Sequence, residues 1–345
     1  MTKTKAGVYI ILLATICCVL SAGLAAAQRL EWSPEQQYLE WSPEQQYDDG
    51  INPSVAVHPS GLVLEFHQSS LGITDIWYRV GTLNGRSVTW RGSQSLGQKG
   101  NWATVAISKE GYVILVRSTT HFKNGGDLRY WVGKIDPSGG IHQSIDWLVR
   151  DAFWDAGFHA SIAINDNGLI VGVHEAGHNS NGMYYRVGHL ADPAAGNYRM
   201  VWDSGSYGIH YNDGINPHIS LNNRNEVVEV HQVPGENLLH YFRGTVSRGT
   251  IHFASSHRYD DGAQRPAVAL TDSGFVVEIH GGVAGRPGML SPSDPARIEW
   301  SDATRISTKD GTYPAVATNG TYLVATWIHY YDISAYLYYS VATIP

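Results

Sequence analysis

Beyond residue 27 the chain has no cysteine, since Cys17 and Cys18 are its only two. The bulk of the chain therefore carries no disulfides and must be held by its hydrophobic core, which a chain of this length can build. Charge is scarce, with Asp, Glu, Lys and Arg at 16% of residues and no basic run. Net charge is -7, or -9 once Lys3 and Lys5 are removed with the leader described below. An acidic chain without a cationic stretch argues against nucleic acid and anionic membrane surfaces as partners. No later segment is apolar enough to span a bilayer, so membrane insertion is not expected. Nor does any amphipathic helix follow the leader.

What is present starts with Lys3 and Lys5, an apolar run from Val8 to Leu20, and small residues up to Ala25-Ala26-Ala27. That is the layout of a secretory signal peptide over residues 1–27, and it predicts a secreted, extracellular protein. Residues 28–38 read as an N-terminal extension, because Leu30–Tyr38 and Leu39–Tyr47 are the same nine residues written twice. The second copy keeps the register expected of a strand. Residues 39–345 read as one domain.

That domain repeats one motif. Tyr47-Asp48-Asp49-Gly50-Ile51-Asn52-Pro53 leads into Leu64-Glu65-Phe66-His67 and then Trp77-Tyr78-Arg79-Val80-Gly81. Its clearest echo is Tyr211-Asn212-Asp213-Gly214-Ile215-Asn216-Pro217, followed by Val228-Glu229-Val230-His231. Aligned repeats place Pro53, Ala103, Ala160, Pro217, Pro266 and Pro314 in one column, 48 to 57 residues apart. Each repeat reads as four short strands separated by turns such as Pro59-Ser60-Gly61 and Asn165-Asp166-Asn167-Gly168. The period suits an all-β, six-bladed β-propeller of four-stranded blades. The last repeat lacks a fourth strand, and Leu39-Glu40-Trp41-Ser42 resembles Ile298-Glu299-Trp300-Ser301. The expectation is thus that this N-terminal strand completes the last blade and removes two open edges.

The polar residues recur with the repeat. Tyr47 and Asp49 go with Glu65 and His67; Tyr211 and Asp213 with Glu229 and His231; Tyr259 and Asp261 with Glu278 and His280. A fourth repeat keeps Trp154, Asp155 and His174 but has Gly172 for the glutamate. Leu115 with Arg117, and Ala325 with Trp327, replace the pair in the other two. Glu65 and His67 are two apart on a strand and share a face. Placing the Tyr-Asp-x-Gly turn in the loop between blades puts it on the same rim as the histidines. Two readings stay open. The pair can be an internal hydrogen-bonded clamp on the neighbouring turn, or the set can contact a ligand.

Trp and Tyr offer flat faces to sugar rings while Asp, Glu, Asn and His bind hydroxyls, so the ligand reading favours carbohydrate. Trp77, Trp102 and Trp327 are further aromatic candidates. Each repeat supplies only two metal-ligating side chains that do not converge, so neither a metal nor another cofactor is expected. No catalytic residue is assigned. The carboxylates are spread evenly where a glycosidase needs two at one spot. Arg79, Arg186 and Arg243 recur around the ring, whereas a sialidase cluster would converge, and the Ser-x-Asp-x-Gly-x-Thr-Trp turns of sialidases are missing.

The motifs Tyr47–Ala56, Val227–His231 and Trp77–Gly81 resemble a family of repetitive bacterial insecticidal toxin-like propellers. The architecture is also similar to that of secreted propeller lectins, which bind sugars at several blade junctions. These likenesses imply a secreted, multivalent carbohydrate-binding protein acting on cell-surface glycans. The alternatives are a carbohydrate-active enzyme with one site on the propeller face and a protein-interaction scaffold.

Overall fold

The computed structural model describes residues 39–72, 74–120, 126–177 and 180–345. The expected leader (1–27) and extension (28–38) lie outside the described residues. The described chain is a β-propeller. Its strands alternate short apolar, β-branched runs with Gly-, Asn- and Asp-bearing turns, a pattern that yields antiparallel meanders. Leu62–Gln68 is buried along its whole length, and so is Phe275–His280. Sheets pack on both faces of such strands. This explains why Glu65 and His67 sit inside an otherwise apolar run.

The hydrogen-bonded sheets correct the expectation of six four-stranded blades. Four sheets stand alone, one four-stranded and three five-stranded, and the remaining sheet is eight-stranded. The eight-stranded sheet arises because Gln94–Ile107 is one unbroken 14-residue strand. Its first half pairs with Thr74–Asn84, as in Thr74↔Gly100. Its second half pairs with Tyr112–Ser118, as in Thr104↔Val116. Elsewhere the chain breaks at the corresponding point, as at Gly214 between Ile209–Asp213 and Ile215–Leu221.

The five-stranded sheets have a split outer edge. Gly182–Asp192 is 11 residues long, whereas Asn197–Trp202 pairs only with its second half. Ile209–Asp213 returns to pair with the first half. The Tyr-Asp-x-Gly segment, expected as a loop, is therefore an edge strand. The closing strand is also corrected. Leu39–Ser42 is not a strand, and Trp41 makes only an isolated bridge to Ala342. The ladder to Ser334–Thr343 is made by Gln45–Asp49 instead.

The innermost strands do not pair with one another, so side chains tie them together. The Ser54 hydroxyl accepts from the Val105 amide at 3.0 Å, and Ser161 accepts from Ile219 at 3.1 Å. His218 Nδ1 accepts from the Val268 amide at 3.2 Å. These bonds satisfy amides that a sheet ladder would otherwise take.

Candidate functional site

The repeated polar residues form clamps between neighbouring sheets. His67 Nδ1 donates to Glu65 Oε2 at 2.9 Å. Asp48, on the edge strand of the preceding sheet, accepts from Arg79 Nε at 2.6 Å and from the Ser93 hydroxyl, and lies 3.7 Å from His67 Nε2. The same arrangement joins Asp155 to Arg186 at 2.8 Å and to His174 at 3.5 Å. It recurs as Asp260 with Arg286 at 2.6 Å, beside the His280–Glu278 pair at 3.0 Å. In the fourth set, His231 donates to Glu229 at 2.9 Å and Tyr211 donates to the same glutamate at 3.0 Å.

Burial sets the electrostatics of these clamps. Burial alone would lower the His67 pKa, but the charge and hydrogen bond of Glu65, with Asp48 beyond, raise it above the usual histidine value. His280 is raised in the same way by Glu278 and Asp260. Burial would raise Asp48, yet hydrogen bonds from Arg79, Ser93 and the Asp49 amide hold it below the ordinary carboxylate range. Burial, then the adjacent glutamates, push Tyr47, Tyr211 and Tyr259 well above the ordinary tyrosine value.

These residues are used up inside the fold. Glu65, Glu229 and Glu278 are all 0% exposed. Trp154, Asp155, His67, His174, His231 and His280 are buried as well, as is Tyr47, while Tyr211 and Tyr259 are half-buried. Tyr47 stacks on Trp90 and Tyr259 on Trp300, at 5.2 and 5.4 Å between ring centres. Asp49, Asp213 and Asp261 alone among the predicted set are exposed. The first of the two readings, an internal clamp, describes the geometry.

At Gly157 and Gly214 the motif glycine is required by space, since neither has a left-handed backbone. A Cβ on Gly214 would meet His231 Cδ2 at 2.8 Å, and one on Gly157 would meet His174 Nδ1 at 2.4 Å. The imidazole lies against the glycine backbone.

A different set of residues faces the axis. Asn52, Trp102, His159, Asn216, Arg265 and Tyr313 line one cavity of about 110 Å³. They occupy the same column of the repeat, immediately before the aligned Pro or Ala. Each has a left-handed backbone, with φ between 41° at His159 and 54° at Arg265. For bulky side chains that conformation costs about 1 kcal/mol or more. A register shift accompanies most of them, as between Ile51 and Ser54 or between Asn101 and Thr104. The bulge turns each side chain from the sheet toward the axis.

The residue after three of the four clamp histidines fixes this column; after His280 stands Gly281, which has no side chain to do so. Gln68 Oε1 accepts from Asn52 Nδ2 at 2.6 Å and from the Trp102 amide at 3.0 Å. Glu175 accepts from His159 Nδ1 at 2.6 Å and from the Asn216 amide at 2.8 Å. Gln232 does the same for Asn216 and Arg265. Thus these three clamp strands each hold two neighbouring axial residues in place.

The rings at the mouth make a continuous wall. Trp102 meets Tyr313 at 5.2 Å and His159 at 4.1 Å. The Arg265 guanidinium lies 3.7 Å from the Tyr313 ring centre and donates to Thr312 Oγ1 at 2.9 Å. Among the described residues no Asp or Glu lines the cavity, although buried Glu175 stands directly behind His159. Of this set, sequence reasoning singled out only Trp102. The column reads Asn, Trp, His, Asn, Arg, Tyr, but the column before it (Ile51, Asn101, Phe158, Ile215, Gln264, Thr312) varies as much, so the sequence held no signal that singles it out.

No protein-family profile matches the chain, and no curated protein matches it. Solved structures do. A protein of unknown function from Dyadobacter fermentans shares 11% identity over 89% of this chain and 99% of its own, with a TM-score of 0.55. An α-L-arabinanase from Penicillium chrysogenum, complexed with arabinobiose, shares 11% identity over 88% of this chain and 99% of its own, with a TM-score of 0.57. A sialidase from Trypanosoma rangeli shares 12% identity over 86% of this chain, with a TM-score of 0.55; the match spans 55% of the sialidase, about half its length. At these identities the likeness establishes the β-propeller fold and nothing finer.

Proposed function

We propose that this protein binds carbohydrate at the axial mouth and does not hydrolyse it. The observation that carries the reading is the strained column: rings of Trp102 and Tyr313 beside Asn52, Asn216, His159 and Arg265. Left-handed backbone under large side chains persists where function selects it, and here it recurs at every repeat. Aromatic faces take the C–H face of a pyranose, and amide, imidazole and guanidinium groups take its hydroxyls. Among the described residues the cavity lining carries no pair of carboxylates at one spot, and Glu175 nearby is fully buried behind His159, which favours binding over hydrolysis. The arabinanase and sialidase have sugar chemistry in their names, which is compatible with the proposal without carrying it.

This reading replaces several sites at blade junctions by one on the axis, because the Glu–His sets are consumed as clamps. It supposes export, for which the leader-like residues 1–27 are the support, and surface glycans as partners. A glycan array tests it. Binding by the chain from residue 28 onward should weaken at least about tenfold in Trp102→Ala with the fold retained. Undiminished binding by that variant, or silence across a broad array, would overturn the reading.

A further inference from the structure

The charges around the axis point to the kind of sugar. Most other part-buried arginines hold carboxylates, as Arg79 with Asp48, Arg117 with Asp151, Arg186 with Asp155, Arg286 with Asp260 and Arg243 with Glu226, while Arg91 spends its donors on the carbonyls of His142 and Gln143. Arg265 has no carboxylate within 4.0 Å among the described residues, although it lines a cavity and sits on a strained backbone with φ 54°. Of its five N–H donors, the described residues take one, through Thr312. Its guanidinium lies 3.7 Å from the Tyr313 ring centre, which holds it in the lining of the cavity.

The remaining titratable groups lining the cavity are the Tyr313 phenol, which burial pushes above the ordinary tyrosine value, and two imidazoles. His159 is held from behind by buried Glu175, and His218 accepts the Val268 amide. The mouth therefore presents a cation in a chain whose net charge is -7. A guanidinium fork matches a carboxylate in two parallel hydrogen bonds, a geometry that a neutral hydroxyl does not reproduce.

Building on the carbohydrate reading above, we infer that the axial cavity takes the carboxylate of an acidic sugar, a uronic-acid residue, on Arg265. The experiment compares oligogalacturonate with its fully methyl-esterified counterpart by calorimetry, using the chain from residue 28 onward. The free acid should bind about tenfold or more tightly than the ester, with a preference that falls as salt rises. Arg265→Gly suits the left-handed backbone and should bring the acid-to-ester ratio to about one; Arg265→Lys should leave it intermediate. Equal affinity of the wild type for acid and ester, or a ratio unchanged in both variants, would overturn the inference while leaving sugar binding intact. Preference for a sulfated over a uronic oligosaccharide would overturn the carboxylate assignment. Silence toward acidic and neutral sugars alike would remove the carbohydrate reading and this inference with it.

Discussion

Single residues in this fold carry opposing demands, and the axial column shows it best. Tyr313 has φ 53°, which favours glycine, yet its ring stacks under Arg265 and against Trp102. Removing the ring with alanine loses those contacts and keeps the strain; removing it with glycine loses the contacts and relieves the strain. Tyr313→Gly should therefore be more stable than Tyr313→Ala by about 1 kcal/mol in denaturant melts, reversing the usual order at a strand. Equal stability of the two would mean that the backbone there is unstrained. Sequence alone could not reveal this, because φ is not written in composition. The column varies among the aligned repeats, but so does its neighbour at Ile51, Asn101 and Phe158, so only the backbone angles single it out.

At the scale of elements, the clamps carry their own control experiment. Where three repeats place an aspartate against an arginine, the fourth has Asn212, and the residue paired with Glu229 across the ladder is Phe242. Phe242 stacks on His231 at 5.6 Å. Arg243, expected to match Arg79, is one residue out of register; the true counterpart is Arg286, opposite Glu278. The two chemistries are alternative solutions to one buried junction. Asp260→Asn alone should destabilise by about 1–3 kcal/mol, by leaving Arg286 half-buried without its carboxylate. Adding Arg286→Phe should recover much of that loss, and a double-mutant cycle measures the coupling. Additivity of the two changes would refute the clamp.

The pairing of Glu65 with His67 followed from their spacing on a strand. Their burial followed too, since a middle strand is covered on both faces; what patterning left open is which backbone or side chain of the neighbouring element meets them. The same limit explains the edge strands. Tyr47-Asp48-Asp49 looks like a turn by composition, yet its backbone fills the free edge left by a longer neighbour. Propensity yields there to the demand for backbone partners.

For the whole molecule, the histidines set how stability follows pH, and they act in opposite directions. Burial without a charged partner pushes His218 down to about 4. Its contribution is present above the unfolded value near 6.5 and is lost as pH falls toward 4. His67 and His280 are raised, so their contribution is present below about 6.5 and is lost as pH rises through their folded values. His218→Ser copies Ser54 of the first repeat and keeps an acceptor for the Val268 amide. It should flatten stability between pH 6.5 and 4, by roughly 3 kcal/mol at most. His280→Asn should flatten the limb above pH 6.5 instead. Unfolding free energies across this range check both signs, and an unchanged acid limb in His218→Ser would count against a neutral buried imidazole.

The propeller class was legible from period and turn chemistry, whereas the division into sheets was not, because it depends on whether one strand breaks at its midpoint. That unbroken strand, Gln94–Ile107, has a mechanical meaning. Across most junctions, neighbouring sheets touch through side chains and can loosen one at a time. Across this one they share a continuous spine of amides, so opening either sheet drags on its neighbour, and the two come apart together.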